Sequence, residues 1–252
     1  MRTYGLIGYP LTHSFSPGYF AAKFQRENIT DAEYKIFPLA DLSELAPLLR
    51  NHPDLLGLNV TIPYKEAVVP YAAETDEIVR ETGAANTLVI QRKNDRIWLK
   101  AFNTDVTGFR LSLETMLRTH HHQALILGTG GSSKAVEYVL KKTGIATTFV
   151  SREKKSGALT YGELDAAVMQ EHTLIVNTTP LGMFPAVDSF PPIPYEHLSF
   201  THLLYDLVYN PHETLFLKKG KAQGAAVKNG LEMLEIQAEE SWKIWNSFSS
   251  GE

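Results

Sequence analysis

Residues 124–135 read Ala-Leu-Ile-Leu-Gly-Thr-Gly-Gly-Ser-Ser-Lys-Ala, an apolar run that leads into a glycine-rich turn and then into a helical pattern. Such a turn at a helix N-terminus is typical of dinucleotide-binding units. Gly128 permits the tight turn, and Gly130 lets the backbone approach a pyrophosphate that faces the helix end. Ala135 is small enough for close contact between helix and strand. The stretch predicts a Rossmann-like unit, and a plain tight turn is the alternative.

The end of the next predicted strand indicates which dinucleotide the turn would bind. In this fold that position meets the adenosine ribose, roughly 20 residues after the glycines, and an acidic residue there favours NAD. Ser151 and Arg152 occupy the position here, followed by Lys154 and Lys155. A guanidinium suits a 2′-phosphate because it donates two parallel hydrogen bonds, so NADP is favoured. Glu153 keeps NAD open, and a solvated basic turn is the alternative to both.

Composition excludes several classes of function. The 252 residues include 24 Lys and Arg against 28 Asp and Glu, a net charge of −4, and no Cys. An acidic balance argues against nonspecific binding to nucleic acid or to an anionic membrane. Without Cys the chain forms no disulfide, thiolate nucleophile or Cys-ligated metal centre. No run approaches the roughly 18 apolar residues of a membrane span, and no signal-peptide pattern opens the sequence, so we expect a cytoplasmic protein.

The whole chain alternates short apolar runs with helix-length amphipathic segments, which predicts an α/β fold with mainly parallel sheet. Two α/β units joined near Asn103 are expected, with a terminal helix over Leu231–Phe248 that returns to the first unit. A cleft between two such units would be a favoured ligand site. The sequence leaves the oligomeric state open, including a homodimer.

Local signals define several elements of the predicted first unit. Ser16 is expected to cap a helix over Pro17–Glu27, and Lys65–Thr75 is read as helical. A hairpin is predicted from Thr87–Gln91 and Arg96–Ala101, with Asn94 and Asp95 in its turn. A helix over Thr104–Arg118 would open the second unit.

Polar residues cluster at the predicted strand ends of the first unit, in segments 13–17, 59–65, 83–87 and 103–105. Ligands of open α/β sheets bind outside the carboxyl ends of strands, and hydroxyls with amides suit a polyhydroxylated carboxylate. Lys65 and Asp105 are the strongly charged members. Reduction of a ketone needs a proton for the developing alkoxide, which a lysine can supply while a carboxylate orients it. The alternatives are a solvated lysine and an Asp105 that caps the next helix.

Taken together, these segments resemble the shikimate dehydrogenase family in family order over nearly the whole chain. The matching segments are Gly8–Pro10, His13–Pro17, Asn59–Lys65, Gly83–Thr87, Asn103–Gly108, the Gly128 turn, Asn177–Met183, Tyr205–Pro211 and Asn229–Gln237. The resemblance implies NADPH-dependent reduction of 3-dehydroshikimate to shikimate, a step of chorismate and aromatic amino-acid biosynthesis. It also implies a substrate-binding and catalytic domain over 1–103, an NADP-binding Rossmann domain over 104–228, and a helix over 229–252 that returns to the first domain.

The resemblance further assigns roles to individual residues. Lys65 and Asp105 would be the catalytic pair. Substrate would be bound by Ser14 and Ser16 at its carboxylate, by Asn59, Thr61, Asn86 and Gln237 at its hydroxyls, and by Tyr209 at the pocket wall. Gly128, Gly130 and Gly131 would face the pyrophosphate, with Ser151 and Arg152 at the 2′-phosphate. Thr179, Met183 and Gly230 would lie near the nicotinamide.

Two other functions stay open, and several side chains are given structural roles. Ser151-Arg152-Glu153 replaces the family's usual Asn-Arg-Thr, which keeps an NAD-using quinate/shikimate dehydrogenase as an alternative. A regulatory protein that senses NADP without turnover is a second alternative, although sensing would not require Lys65 and Asp105. The run His120–His122 is interpreted as a solvated linker rather than a metal site, because consecutive side chains diverge. Similarly, His13 is given a structural role, and Trp242 and Trp245 are interpreted as packing residues.

Overall fold

The structure, a computed structural model, describes residues 1–11, 14–94 and 96–249. The chain divides into two units, of which the first comprises Met1–Thr107 with Gln237–Glu252 and the second Gly108–Ile236. Each unit is built on one six-stranded sheet, so the predicted α/β class is confirmed. Across the described residues, no helix combines the length and the apolar character needed to cross a lipid bilayer.

The first unit holds a mixed sheet in the order β2-β1-β3-β5-β6-β4. The strands are β1 (Arg2–Gly8), β2 (Ala32–Pro38), β3 (Leu55–Val60), β4 (Glu74–Thr75), β5 (Thr87–Lys93) and β6 (Arg96–Phe102). β1 pairs in parallel with β2 and β3, whereas β5 is antiparallel to β3 and β6. β6 therefore runs in the same direction as β3, and the carboxyl ends of both strands reach the same edge of the sheet.

The helices of this unit are α1 (Phe15–Arg26), α2 (Leu45–Asn51) and α3 (Glu77–Thr82). The predicted cap of α1 is wrong, because Ser14 is the extended residue before the helix and Ser16 lies within its first turn. Pro17 is tolerated there since the first N–H groups of a helix have no partner within it. The predicted hairpin is confirmed over β5 and β6, and Asp95 of its turn lies outside the described residues.

The predicted helix over Lys65–Thr75 is also wrong. Residues 65–68 form turns, Val69–Tyr71 is a single 3-10 turn, and Glu74 and Thr75 form β4. Pro70 explains the difference, because it lacks the N–H that would bond to the carbonyl four residues earlier and its ring clashes with that carbonyl. Lys65 consequently lies on a tight connection directly after β3, which holds its backbone close to the end of the sheet.

The terminal helix α8 (Leu231–Ser249) contributes its later turns to the core of the first unit. Trp245 is 1% exposed, stacks on Tyr4 at a centroid distance of 4.8 Å, and donates from Nε1 to the Leu88 carbonyl at 3.0 Å. Trp242 packs against the same aromatic cluster. The interpretation of both tryptophans as packing residues is therefore confirmed, and the helix is fixed in register with β1 and β5.

The second unit is an all-parallel sheet in the order β12-β11-β10-β7-β8-β9. Its strands are β7 (Gln123–Leu127), β8 (Ala146–Ser151), β9 (Ala158–Thr160), β10 (Leu174–Asn177), β11 (Leu203–Asp206) and β12 (Ala226–Lys228). From the other edge this is the strand order of dinucleotide-binding folds, in which the order of successive strands reverses between β7 and β10. Ligands of such sheets bind outside the carboxyl ends of the strands at that switch, where the predicted glycine turn follows β7.

The helices of the second unit are α4 (Asp105–Glu114), which starts in the first unit, with α5 (Gly131–Lys142), α6 (Ala166–Glu171) and α7 (Leu215–Ala222). α4 ends four residues before the predicted Arg118. The Arg118 N–H donates to His121 Nδ1 at 3.0 Å instead of continuing a helix. Apolar side chains of β7, β8, β10, β11 and α7 form the core on one side of the sheet.

Candidate active site

An ion pair between Lys65 and Asp105 lies at the carboxyl edge of the first unit's sheet. Lys65 Nζ is 2.7 Å from Asp105 Oδ2, and the two side chains are 15% and 7% exposed. Lys65 follows β3, and Asp105, which follows β6, is the first residue of α4. Because these strands run in the same direction, residues 40 positions apart in sequence meet at one edge. The ammonium is sheltered from bulk water yet retains some exposure.

Asn86 fixes the other oxygen of the Asp105 carboxylate. Its Nδ2 donates to Asp105 Oδ1 at 2.9 Å, while its Oδ1 accepts from the Thr104 N–H at 2.7 Å. A backbone N–H can only donate and a carboxylate oxygen can only accept. These two partners therefore determine which side of the Asn86 amide is the NH₂ group and which is the oxygen. The same Nδ2 lies 3.2 Å from Gln237 Oε1 on α8. The predicted residues Lys65, Asp105, Asn86 and Gln237 therefore form one connected cluster.

Asn59, at the end of β3, is 4% exposed and bonded within the protein. Its Oδ1 accepts from the Tyr34 hydroxyl at 2.9 Å, and its Nδ2 donates to Ser241 Oγ at 2.9 Å and Thr87 Oγ1 at 3.2 Å. Burial raises the pKa of the Tyr34 phenol, while a hydrogen bond from Ser16 opposes that shift. Tyr34 therefore stays protonated and can act as a donor. This hydrogen-bond chain links Ser16 on α1 to Asn59.

Four residues that complete this network were given no role from the sequence: Tyr34 and Ser241, and Thr87 and Thr104 of the predicted polar segments. Ser241 Oγ lies 2.8 Å from Thr87 Oγ1 and 3.2 Å from Thr104 Oγ1. One signal could have found it, since Ser241 follows Gln237 by one helical turn and so shares its face.

The remaining predicted residues of the first unit lie around this cluster. Ser14 is half-buried directly before α1, and Ser16 is buried in its first turn. Thr61 is half-buried directly after β3, and its N–H donates to the Ile7 carbonyl at 2.9 Å. His13 lies outside the described residues.

The glycine turn of the second unit has the geometry that a dinucleotide requires. Gly128 has φ +109°, and a Cβ there would lie 2.8 Å from Thr178 Oγ1, so a side chain would be strained and crowded. Gly130 is the residue before α5, and no described atom lies within 4 Å of where its Cβ would be. Gly131 then opens a helix of 12 residues. Open backbone at a helix N-terminus fits a pyrophosphate.

The end of β8 supplies the predicted cationic surface. Ser151 is buried and its hydroxyl donates to the Glu153 carbonyl, which holds the turn in shape. Arg152 is exposed, and Lys155 Nζ reaches Thr129 Oγ1 of the glycine turn at 3.0 Å. Arg152 is thus available to an anion beside the turn, whereas Lys154 pairs with Glu163 at 2.5 Å. The residues present fit a phosphorylated dinucleotide.

The other predicted cofactor residues lie on the segments that follow β10 and β12, and the predicted substrate residue Tyr209 follows β11. Thr179 Oγ1 donates to Asn177 Oδ1 at 2.6 Å, and Met183 is 40% exposed. Gly230 donates its N–H to the Val208 carbonyl at 3.2 Å, and a Cβ there would overlap the Leu207 carbonyl oxygen. Tyr209 is half-buried just after β11.

Comparison with known proteins shows what the chain is similar to. Residues 6–88 match the family model described as the shikimate dehydrogenase substrate binding domain. A curated protein of Desulforamulus reducens, named shikimate dehydrogenase (NADP(+)), is 32% identical over 268 residues, which cover 98% of this chain and 90% of the relative.

Solved structures show similarity over the same length of this chain. A chorismate mutase/shikimate 5-dehydrogenase fusion protein from Clostridium acetobutylicum is 34% identical with a TM-score of 0.86, covering 98% of this chain and 92% of that one. Shikimate 5-dehydrogenase from Thermus thermophilus, in complex with NADP(H) and shikimate, is 27% identical with a TM-score of 0.83, covering 98% and 93%. The similarity therefore extends across both units.

Proposed function

This chain belongs to the shikimate dehydrogenase family, and we propose that it catalyses the reversible, NADP-dependent interconversion of 3-dehydroshikimate and shikimate. The observation that carries the proposal is the sheltered Lys65–Asp105 pair, held by Asn86 and Gln237 at a sheet edge lined with hydroxyls and amides. Relatives that are similar over nearly the whole chain carry the same activity in their names.

In the reductive direction the chain's own residues transfer one proton to the substrate. NADPH, when bound, supplies the hydride that reduces the carbonyl carbon. The Lys65 ammonium donates a proton to the carbonyl oxygen as negative charge develops there, which forms the hydroxyl. Asp105 accepts a hydrogen bond from Lys65 and so orients Nζ, while Asn86 keeps the carboxylate from rotating. In the oxidative direction Lys65 takes the proton back.

Residues around the pair would bind the rest of the substrate. Ser14 and Ser16 would hold the carboxylate, and Thr61, Asn86 and Gln237 the ring hydroxyls. Asn59 belongs to this set by resemblance. Its amide already donates to Ser241 and Thr87, so a direct bond from Asn59 to the substrate would replace one of these.

The glycine turn and the end of β8 would hold NADP. Gly128, Gly130 and Gly131 would face the pyrophosphate, and Ser151 and Arg152 the adenosine 2′-phosphate, which NAD lacks. Thr179, Met183 and Gly230 would line the nicotinamide side. The NAD-using alternative retains support from Glu153, whose carboxylate could accept hydrogen bonds from a ribose diol.

Absorbance at 340 nm tests both points, using shikimate or quinate with NADP or NAD. We expect the highest kcat/KM with shikimate and NADP. Arg152→Ala should raise KM for NADP by about 10- to 100-fold, the value of a charge-assisted bond, and leave KM for NAD unchanged. Arg110→Ala, which removes an exposed arginine of α4, is the matched control. No reduction of either nucleotide would overturn the proposed activity.

Three finer statements stay predictions from the sequence. These are the place of the reaction in aromatic amino-acid biosynthesis, the cytoplasmic location, and homodimer formation. Sedimentation velocity of the purified chain tests the last of them.

A further inference from the structure

A fully buried carboxylate, Asp206, ends β11 in the second unit. Its Oδ1 accepts from Asn177 Nδ2 at 2.9 Å and from the Val208 N–H at 3.0 Å, and its Oδ2 accepts from Thr214 Oγ1 at 2.6 Å. All three donors are neutral groups that point at one carboxylate. Because an ionised carboxylate accepts at every oxygen site and donates at none, the donor set matches the charged form.

Each of these bonds fixes a different segment of the chain. Asn177 Oδ1 accepts from both the N–H and the hydroxyl of Thr179, at 3.0 and 2.6 Å, so Asp206 orients the residue that starts the loop after β10. The Val208 bond sets the backbone after β11. Thr214 in turn caps α7, where its hydroxyl accepts from the Leu217 N–H at 3.4 Å.

A fourth segment is coupled through Val208. Gly230 donates to the Val208 carbonyl at 3.2 Å, and a Cβ at Gly230 would overlap the Leu207 carbonyl oxygen. Segments 207–208 and 229–230 are therefore packed backbone against backbone, and a shift in one is transmitted to the other. Thr179 and Gly230, both predicted to lie at the nicotinamide, thus depend on a single side chain.

We propose that Asp206 is a positioning residue for the nicotinamide half of NADP, acting through Asn177 on the segment at Thr179 and through Val208 on the segment at Gly230. The inference rests on the proposed function. The inference separates the two halves of the cofactor site, because the glycine turn and Arg152 follow β7 and β8 and, among the described residues, neither donates a hydrogen bond to Asp206. The adenosine half should bind without it.

Asp206→Asn is the main test, because it keeps the shape of the side chain and turns one acceptor into a donor that faces other donors. Calorimetry is performed with NADP and with 2′,5′-ADP, which carries only the adenosine half. We expect NADP affinity to fall about tenfold, the value of one charge-assisted bond, and 2′,5′-ADP affinity to stay within about twofold. With saturating NADP, kcat should fall while KM for shikimate stays constant.

Thr214→Val is the matched control. It removes only the bond to Oδ2 and the cap of α7, so it destabilises the unit without freeing Asn177 or Val208. Both ligand affinities should then stay within about twofold of wild type, less than one hydrogen bond is worth. If Asp206→Asn does not fold, Asn177→Ala decides the question, since it cuts the link to Thr179 and leaves Asp206 with two donors. We expect the same selective loss of NADP.

Several outcomes would overturn the inference. Unchanged NADP affinity in Asp206→Asn would do so, as would equal losses of NADP and 2′,5′-ADP, because the second result describes a general structural role. If Thr214→Val weakens NADP as much as Asp206→Asn does, helix capping accounts for the effect. A wild-type chain that binds neither ligand would contradict the proposed function itself, and this inference with it.

Discussion

Replacement of Lys65 by alanine removes the ammonium that faces Asp105 and leaves the rest of the site in place. Asp105 keeps its bond from Asn86 at 2.9 Å, and Asn86 keeps its bonds to Thr104 and Gln237. The substrate-binding groups therefore retain their orientation. We expect kcat to fall strongly and KM for shikimate to change little, because the charge on Lys65 is needed mainly when the alkoxide forms.

The size of the loss follows from the geometry. Lys65 is 15% exposed, so its interaction with a developing alkoxide is only partly screened. At an effective dielectric constant near 20, two unit charges about 4 Å apart interact by about 4 kcal/mol. Since about 1.4 kcal/mol changes a rate tenfold, this predicts a fall in kcat of about 10³. Positioned proton donors accelerate reactions by about 10² to 10⁴, and the predicted loss of about 10³ lies within that range.

The assay is initial-rate kinetics at 340 nm with shikimate and NADP, at 25 °C and saturating cofactor. Lys35→Ala is the matched control, because Lys35 also pairs with a carboxylate of the first unit but lies on the exposed strand β2. A Lys65→Ala enzyme with kcat within about threefold of wild type would refute the proton-transfer role. So would an unchanged kcat with a large rise in KM, since Lys65 would then act in binding alone.

Two further predictions concern packing and pH. Gly57→Ala places a Cβ against the indole nitrogen of Trp245, which is buried and hydrogen-bonded. The overpacking should cost about 1–3 kcal/mol and lower Tm by several degrees in a calorimetric scan, and an unchanged Tm would contradict the packing. Burial, followed by the charge of His120, lowers the pKa of His121, whose Nδ1 accepts from the Arg118 N–H. The unfolded chain then binds the proton more readily, so stability is lost as pH falls through about 6.5. Urea unfolding at about pH 7.5 and pH 5.5 measures the free energy of unfolding that is lost between these two pH values. The loss should be smaller for His121→Asn than for wild type, because asparagine keeps an acceptor without titrating. Equal losses in the two proteins would contradict the assignment.

The second unit could be predicted in detail because its signals are local. The apolar run before Gly128, the glycine spacing and the small Ala135 all lie within a short stretch of chain, and each constrains the backbone directly. Arg152 could be placed at the end of β8 from its spacing after the glycines. Local patterns failed at Lys65–Thr75, where amphipathic spacing indicates a helix and Pro70 prevents it. A proline inside a periodic segment should have outweighed the periodicity.

The pairing of donors with acceptors in the first unit's network could not be predicted, because the partners are far apart in sequence. Asn86 and Gln237 are separated by 151 positions, and Asn59 and Ser241 by 182. The sequence identifies polar residues at strand ends, and burial requires that they find partners. Which donor meets which acceptor depends on the register of α8 against the sheet. That register is set by the packing of Trp245 and its bond to the Leu88 carbonyl, and the sequence pattern does not indicate either contact.

The network also explains why the two charged residues have different parts in the proposed chemistry. Both oxygens of Asp105 are engaged, Oδ1 by Asn86 and Oδ2 by Lys65. The Lys65 ammonium carries three donor hydrogens and has the larger exposure of the pair, 15% against 7%. An ammonium carries a proton that it can donate to a substrate oxygen, whereas an ionised carboxylate only accepts. In the proposed chemistry Lys65 is accordingly the group that exchanges the proton, and Asp105 holds it in place.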